Sequence, residues 1–167
     1  MLVRGLHSVK ALDKKKRNFL IAAGGPLIHP LVDLGNYLML EMGTPMHVFD
    51  FNHLELPLNI LFPVSKKTPF QAIGGDAKIV ESSSLTIQDQ KGIQAIAGII
   101  GGHETSVSKS TKSIAVEAAF FNPAKIANQA RKYGLATDAS HRFERGVDPE
   151  LQQQALARFL FLLKGIA

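Results

Sequence analysis

The sequence predicts a mixed α/β domain whose sheets are largely antiparallel. Strand-like runs fill the middle third: "NILFPV", "QAI", "AKIV", "SLTIQD", "IQAIAGII" and "SIAVEAAFF". Short breaks, "GGD" and "QKG", separate several of them as hairpin turns do. Helical patterning is confined to the two ends, without the strand–helix alternation of a doubly wound parallel sheet. A chain of 167 residues that is 46% apolar has the material for one well-packed core.

In chain order, residues 1–18 contain "VKALDKKKRN" and read as a basic, solvated lead-in, leaving 19–167 as a single domain. "FLIAAGG" is the end of a helix stopped by glycine. Two prolines make "PLIHPLVDLG" extended, and Asn36 then caps a short helix that Gly43 ends and Pro45 cannot continue. His47 opens a new extended run. After the strands, "HETSVSKSTKS" is a polar loop. Asn122 caps the next helix, Pro123 takes its first position and Gly134 terminates it. Residues 133–150 read as a polar loop. Asp148 and Pro149 start the last helix, whose Leu151, Ala155, Phe159 and Leu162 or Leu163 recur at helical spacing.

Composition narrows the function classes. With no Cys, disulfide and thiolate chemistry are absent. The longest apolar runs fall far short of the ~20 residues of a membrane span. Arg4, His7 and Lys10 interrupt the opening apolar residues, unlike a signal peptide, so the expectation is a cytoplasmic protein with no membrane partner. A net charge of +5 favours a polyanionic partner.

Four places combine polar groups with features that bring a ligand close: Asn36 with His47; "AIAGIIGG", ending in Gly101 and Gly102; Glu117, a carboxylate inside an apolar strand; and "YGLATDASHRFERGVDPE". On strict alternation Glu117 shares a face with Ala115 and Ala119, whose small side chains leave room beside it. His47, Asp50 and His53 invite a metal reading, but an extended segment turns alternate residues to opposite faces, so no metal site is assigned. Ser140 with His47 or His141 and an Asp lacks the Gly-x-Ser-x-Gly elbow of a nucleophile.

"NYLMLEMGTPMHVFD", "AIAGIIGGHETSVS" and "IAVEAAFFNPAKIANQARKYGLATDASHRFERGVDPELQ" closely resemble the tRNA-binding editing module of the bacterial phenylalanyl-tRNA synthetase β subunit. The similarity runs from about residue 20 to residue 167. It implies a fragment of a longer β subunit, with a sandwich-like core and helices in a three-layer arrangement. An apolar synthetic pocket rejects an analogue that merely adds a hydroxyl poorly, which warrants a second, hydrolytic site. The resemblance implies that this module cleaves tyrosine wrongly esterified to tRNA(Phe). It matches Glu117 to recognition of the tyrosine hydroxyl, and Gly101, Thr137 and Ala139 to residues bordering the amino-acid pocket. His47 matches the editing histidine and Asn36 an asparagine at the ester end. Lys15, Arg142 and Arg145 are candidate tRNA contacts. The implied partners are tRNA(Phe), its tyrosyl moiety and the α subunit. No cofactor is expected here, since ATP and magnesium belong to the synthetic site. One departure stands out: Gly35 occupies a position where the family commonly has Thr.

Overall fold

The computed structural model describes residues 1–167, and the chain divides into two compact units. The first comprises Met1–Asn52, Val107–Phe120 and Val147–Ala167, and the second His53–Ser106 and Phe121–Gly146. Each unit is assembled from separated stretches of chain.

The first unit is a three-stranded antiparallel sheet covered by helices. Its strands are β1 (Leu2–Arg4), β2 (Met46–Asp50) and β9 (Ser113–Ala118), in the order β1-β9-β2. The helices are α1 (Lys14–Ala22), α2 (Pro30–Met42) and α6 (Gln152–Leu163). Alternation along the strands sends Val48, Ile114 and Val116 to one face, where they join Leu20, Leu31, Leu34, Leu38, Phe159 and Leu163 in a closed apolar core.

Two expectations fail in this unit. The basic lead-in is an integral part of the fold: Leu2–Arg4 pairs with Ala115–Ser113, and Asp13 caps α1 through the backbone N–H of Lys16. The second helix begins at Pro30 rather than Asn36. Pro30 occupies its first turn, where a missing N–H costs nothing, and the His29 Nδ1 accepts from the Leu31 N–H as the cap. Asn36 therefore lies inside the helix. Gly43 ends it as expected, in the left-handed conformation at φ 75°.

The second unit carries β3 (Asn59–Leu61), β4 (Lys67–Gln71), β5 (Ala77–Glu81), β6 (Thr86–Asp89), β7 (Gly92–Ile96) and β8 (Ile100–Gly101). They form a four-stranded sheet, β3-β6-β7-β8, and the two-stranded hairpin β4-β5, and every pairing is antiparallel. The mixed α/β class with antiparallel sheets is therefore what the chain adopts. Both anticipated hairpin turns form. Gly74 and Gly75 take positive φ in one; in the other, Asp89 Oδ1 accepts from the N–H groups of Lys91 and Gly92.

The helices of this unit are α3 (Pro123–Ile126), α4 (Gln129–Lys132) and α5 (Asp138–Arg145). Asn122 and Pro123 start α3 as expected, but the helix does not run on to Gly134. Asn128 adopts φ 63° and divides it into two short pieces. Residues read as loop instead contain α5, fixed by a capping box between Thr137 and Ser140. The last helix starts at Gln152 rather than at Pro149. Asp148 spends its side chain on the Glu150 N–H, forming a turn ahead of the helix.

Candidate functional site

The register of β2 against β9 decides what the two most suggestive side chains do. His47 lies directly opposite Glu117, and Phe49 opposite Ala115. Directly opposed residues of an antiparallel pair share a face with Cβ atoms about 4.5–5.5 Å apart. Imidazole and carboxyl therefore stand side by side, on the face opposite the one that joins the apolar core. Ala115 shares this face with Glu117, and Ala119 lies just past the end of the strand. Since β9 is the middle strand of its sheet, Glu117 is not a charge parked on an edge.

Their surroundings shift both groups toward neutrality. Both residues are only partly exposed. Desolvation alone pushes the Glu117 carboxyl up to about 7, and desolvation alone brings the His47 imidazole down to about 4. No charged or hydrogen-bonding neighbour contributes to either shift. The Phe49 ring meets the imidazole edge-on, with centroids 4.4 Å apart, and restricts its orientation. The buried His47 Nε2 has no hydrogen-bond partner. A buried polar atom left unpaired costs about 1–3 kcal/mol. Near neutral pH the site thus offers an uncharged imidazole with a free ring nitrogen beside a carboxyl poised between its two protonation states.

The remaining sequence candidates are distributed between the units. Asn36 is in the first unit, half-buried within α2, next to Gly35. An added Cβ at Gly35 would meet the Met46 carbonyl oxygen at 3.6 Å, so this turn of α2 runs close to the start of β2. Gly101, Thr137 and Ala139 are in the second unit. Gly101 is buried opposite Ala95, and its carbonyl accepts from the Ile73 N–H at 3.0 Å. The adjacent Gly102 has the stricter steric need: a Cβ there would sit 2.8 Å from the Gln94 carbonyl oxygen. Thr137 Oγ1 accepts from the Ser140 N–H at 3.0 Å and donates to the Ile99 carbonyl at 3.1 Å, tying α5 to the segment before β8.

The three basic candidates separate in the same way. Lys15 is exposed on α1 in the first unit, whereas Arg142 and Arg145 lie on α5 in the second. Both arginines are engaged with their own helix. Arg142 Nη1 donates to the Asp138 carbonyl and carboxylate, and Arg145 Nη1 to the His141 carbonyl and Glu144. Phe49 is the residue that sequence reasoning misses. Its signal is the same alternation that places Glu117: two positions beyond His47 on one strand is one face.

Comparison with known proteins adds the family. The model described as "B3/4 domain" matches residues 2–167. The phenylalanine–tRNA ligase β subunit of Pasteurella multocida is 48% identical over 136 residues, which is 81% of this chain and 17% of that protein. The same-named subunit of Dickeya dadantii is 41% identical over 165 residues, 99% of this chain and 21% of that protein. A solved N-terminal fragment of the Pyrococcus horikoshii phenylalanyl-tRNA synthetase β subunit aligns with a TM-score of 0.47 and 15% identity, covering 69% of this chain and 36% of that one. The chain spans about a fifth of the length of the curated relatives it matches. Matched by one family model along all but its first residue, the chain belongs to the B3/4 domain family.

Proposed function

We propose that this chain is the editing module of a phenylalanine–tRNA ligase β subunit, which binds tRNA(Phe) and hydrolyses the ester of tyrosine misattached to it. The observation that carries this reading is the register that sets His47 beside Glu117 on one face. A desolvated carboxyl without a partner suits a phenol. The tyrosine hydroxyl donates to the carboxylate, or accepts from the protonated acid, whereas the bare ring of phenylalanine leaves it unpaired. A site built to pair with a hydroxyl rejects the analogue lacking it far better than an apolar pocket rejects the added hydroxyl.

The hydrolysis adds water across the acyl C–O bond. The water oxygen attacks the acyl carbon, the bond to the ribose oxygen breaks, and the ribose regains its hydroxyl as tyrosine leaves. Uncharged near pH 7, His47 offers its free Nε2 as a hydrogen-bonding group that orients the water or the ester. Asn36, matched by resemblance to the ester end, lies in the same unit. Gly101, Thr137 and Ala139 are proposed as pocket-bordering residues on the family resemblance alone. In the intact enzyme the α subunit is the proposed partner that forms the aminoacyl bond.

Gly35 favours a second reading, a tRNA-binding module that does not hydrolyse. Where the family commonly presents a threonine hydroxyl, this helix presents none. The test is deacylation of tyrosyl-tRNA(Phe) beside phenylalanyl-tRNA(Phe), with Glu117→Ala as the control. Editing requires selective loss of the tyrosyl ester and loss of that preference in the variant. Retention of both esters by a folded chain that still binds the RNA selects the second reading.

A further inference from the structure

Helix α1 holds its charge in the least favourable place. Its first four residues are Lys14, Lys15, Lys16 and Arg17, and its first turn has no acidic residue. The N-terminal end of a helix is the positive pole of its macrodipole, so each cation there opposes helix formation. Asp13 caps the helix and pairs with Lys16 alone. Glu41, the other carboxylate near Lys16, is held by two 2.9 Å bonds from Arg158. Lys14, Lys15 and Arg17 are exposed and have no carboxylate partner.

The arrangement around the helix is specific. Leu20 faces the core, so helical spacing puts Lys15, Asn18 and Ala22 outermost, with Phe19 on the flank beside Lys15 and with Lys14, Ile21 and Arg17 on the other flank. Lys15 and Phe19, four residues apart, are neighbours on the helix surface. Phe19 remains 47% exposed, while its ring is steadied by an edge contact with Tyr37 at 5.8 Å. Lys16 lies 5.8 Å from the centre of the Tyr37 ring. A fixed, half-open aromatic ring beside an unpaired cation, with further unpaired cations on the same helix, is the kind of surface that single-stranded nucleic acid uses, with base on ring and phosphates on the charges. A lipid surface fits less well, because an interfacial helix turns its apolar face outward. Here Leu20 is the helix's one buried residue, and the exposed Phe19 and Ile21 lie on opposite flanks, with Lys15 and Asn18 between them, rather than forming one outward apolar face.

We infer that the exposed surface of α1 binds RNA, with Lys15 taking a backbone phosphate beside Phe19, which stacks an unpaired base, and with Lys14 and Arg17 taking phosphates where the strand crosses to the other flank. The inference rests on the editing reading only for its choice of tRNA as the probe. The experiment measures binding of a labelled tRNA(Phe) transcript to the full chain across a salt series. It compares the wild type with Lys14→Glu/Lys15→Glu/Arg17→Glu, with Phe19→Ala, and with Lys66→Glu/Lys67→Glu as a reversal of exposed charge in the other unit.

The triple reversal should weaken binding by about tenfold or more. It should also flatten the salt slope by roughly 0.7–0.9 for each phosphate that is no longer neutralised. The same reversal places acidic residues at a helix N-terminus, so its melting temperature should hold or rise. That opposite sign separates loss of RNA binding from a fold defect. Phe19→Ala should lose about tenfold with its salt slope unchanged. Wild-type affinity and slope in the triple variant would overturn the inference, as would an equal loss in the Lys66/Lys67 control. So would unchanged tRNA binding in a triple variant that has lost sedimentation with phosphatidylglycerol vesicles. The editing reading is tested separately by deacylation: RNA binding lost at α1 with neither ester cleaved keeps this inference and defeats that reading.

Discussion

Gly35 and Thr137 are the residues at which the sequence alone gives the least complete account. Glycine inside a helix costs about 1 kcal/mol relative to alanine. A Cβ at Gly35 meets the Met46 carbonyl oxygen at 3.6 Å and the Met46 Cβ at 3.9 Å, both ordinary contacts. Gly35→Ala should therefore stabilise the chain by about 0.5–1 kcal/mol in urea denaturation. If the missing hydroxyl is what limits hydrolysis, Gly35→Thr should speed tyrosyl ester cleavage and Gly35→Ala should not. The family resemblance sets Thr137 at a pocket, yet its hydroxyl has two structural bonds, one accepted from Ser140 and one given to Ile99. Thr137→Ala should cost about 1–2 kcal/mol through the lost cap, and Thr137→Ser should restore most of it. A loss of editing in the alanine variant alone is then a statement about α5, not about substrate contact. No sequence pattern distinguishes these roles, because a cap and a ligand contact use the same hydroxyl.

Among the elements, those with strong local chemistry are legible in the sequence and those fixed by context are not. The β4-β5 and β6-β7 hairpins announce themselves through "GGD" and "QKG", and α3 through Asn-Pro. The start of α2 is easily misread because proline breaks a helix interior but suits a first turn, and only the structure shows which applies at Pro30. Helix α5 escapes notice because its eight residues bury only Ser140 and Phe143, too few for an apolar period to register. The break between α3 and α4 is hidden because Asn128 belongs to a residue type that occurs both in helices and in the left-handed region. That conformation is testable. Replacing Asn128 by Ala should destabilise by about 1–2 kcal/mol, whereas Gly should be neutral or slightly stabilising. The reverse order, with Ala more stable than Gly, would mean that the helix runs through. Least legible of all is the strand register. Alternation says which face Glu117 occupies, but nothing local says that His47 is the residue opposite it.

At the scale of the whole molecule, that pair writes opposing terms into the pH dependence of folding. The folded pKa of Glu117, about 7, lies above its ordinary 4.5, so between those values the folded chain binds a proton that the unfolded chain does not. Its stabilising contribution is complete below pH 4.5 and is lost as pH rises to 7. His47 runs the other way. Its folded value of about 4 lies below the ordinary 6.5, so its contribution is complete above pH 6.5 and is lost as pH falls to 4. Between pH 4.5 and 6.5 each state holds one proton on the pair, and the two slopes cancel. A stability profile of the wild type therefore hides both groups in that window, and single substitutions reveal them. Relative to wild type, Glu117→Gln should gain stability as pH rises from 4.5 to 7, and His47→Gln should gain it as pH falls from 6.5 to 4. Each change should amount to about 1–2 kcal/mol once partial solvent screening is allowed for. Urea denaturation of the three proteins between pH 4 and 8 reads both slopes, and taking differences from wild type removes every other titrating group. Opposite slopes identify a desolvated, unpaired imidazole and carboxyl waiting for a ligand. If both differences are flat, the groups are solvated and the site loses its reason to prefer a phenol.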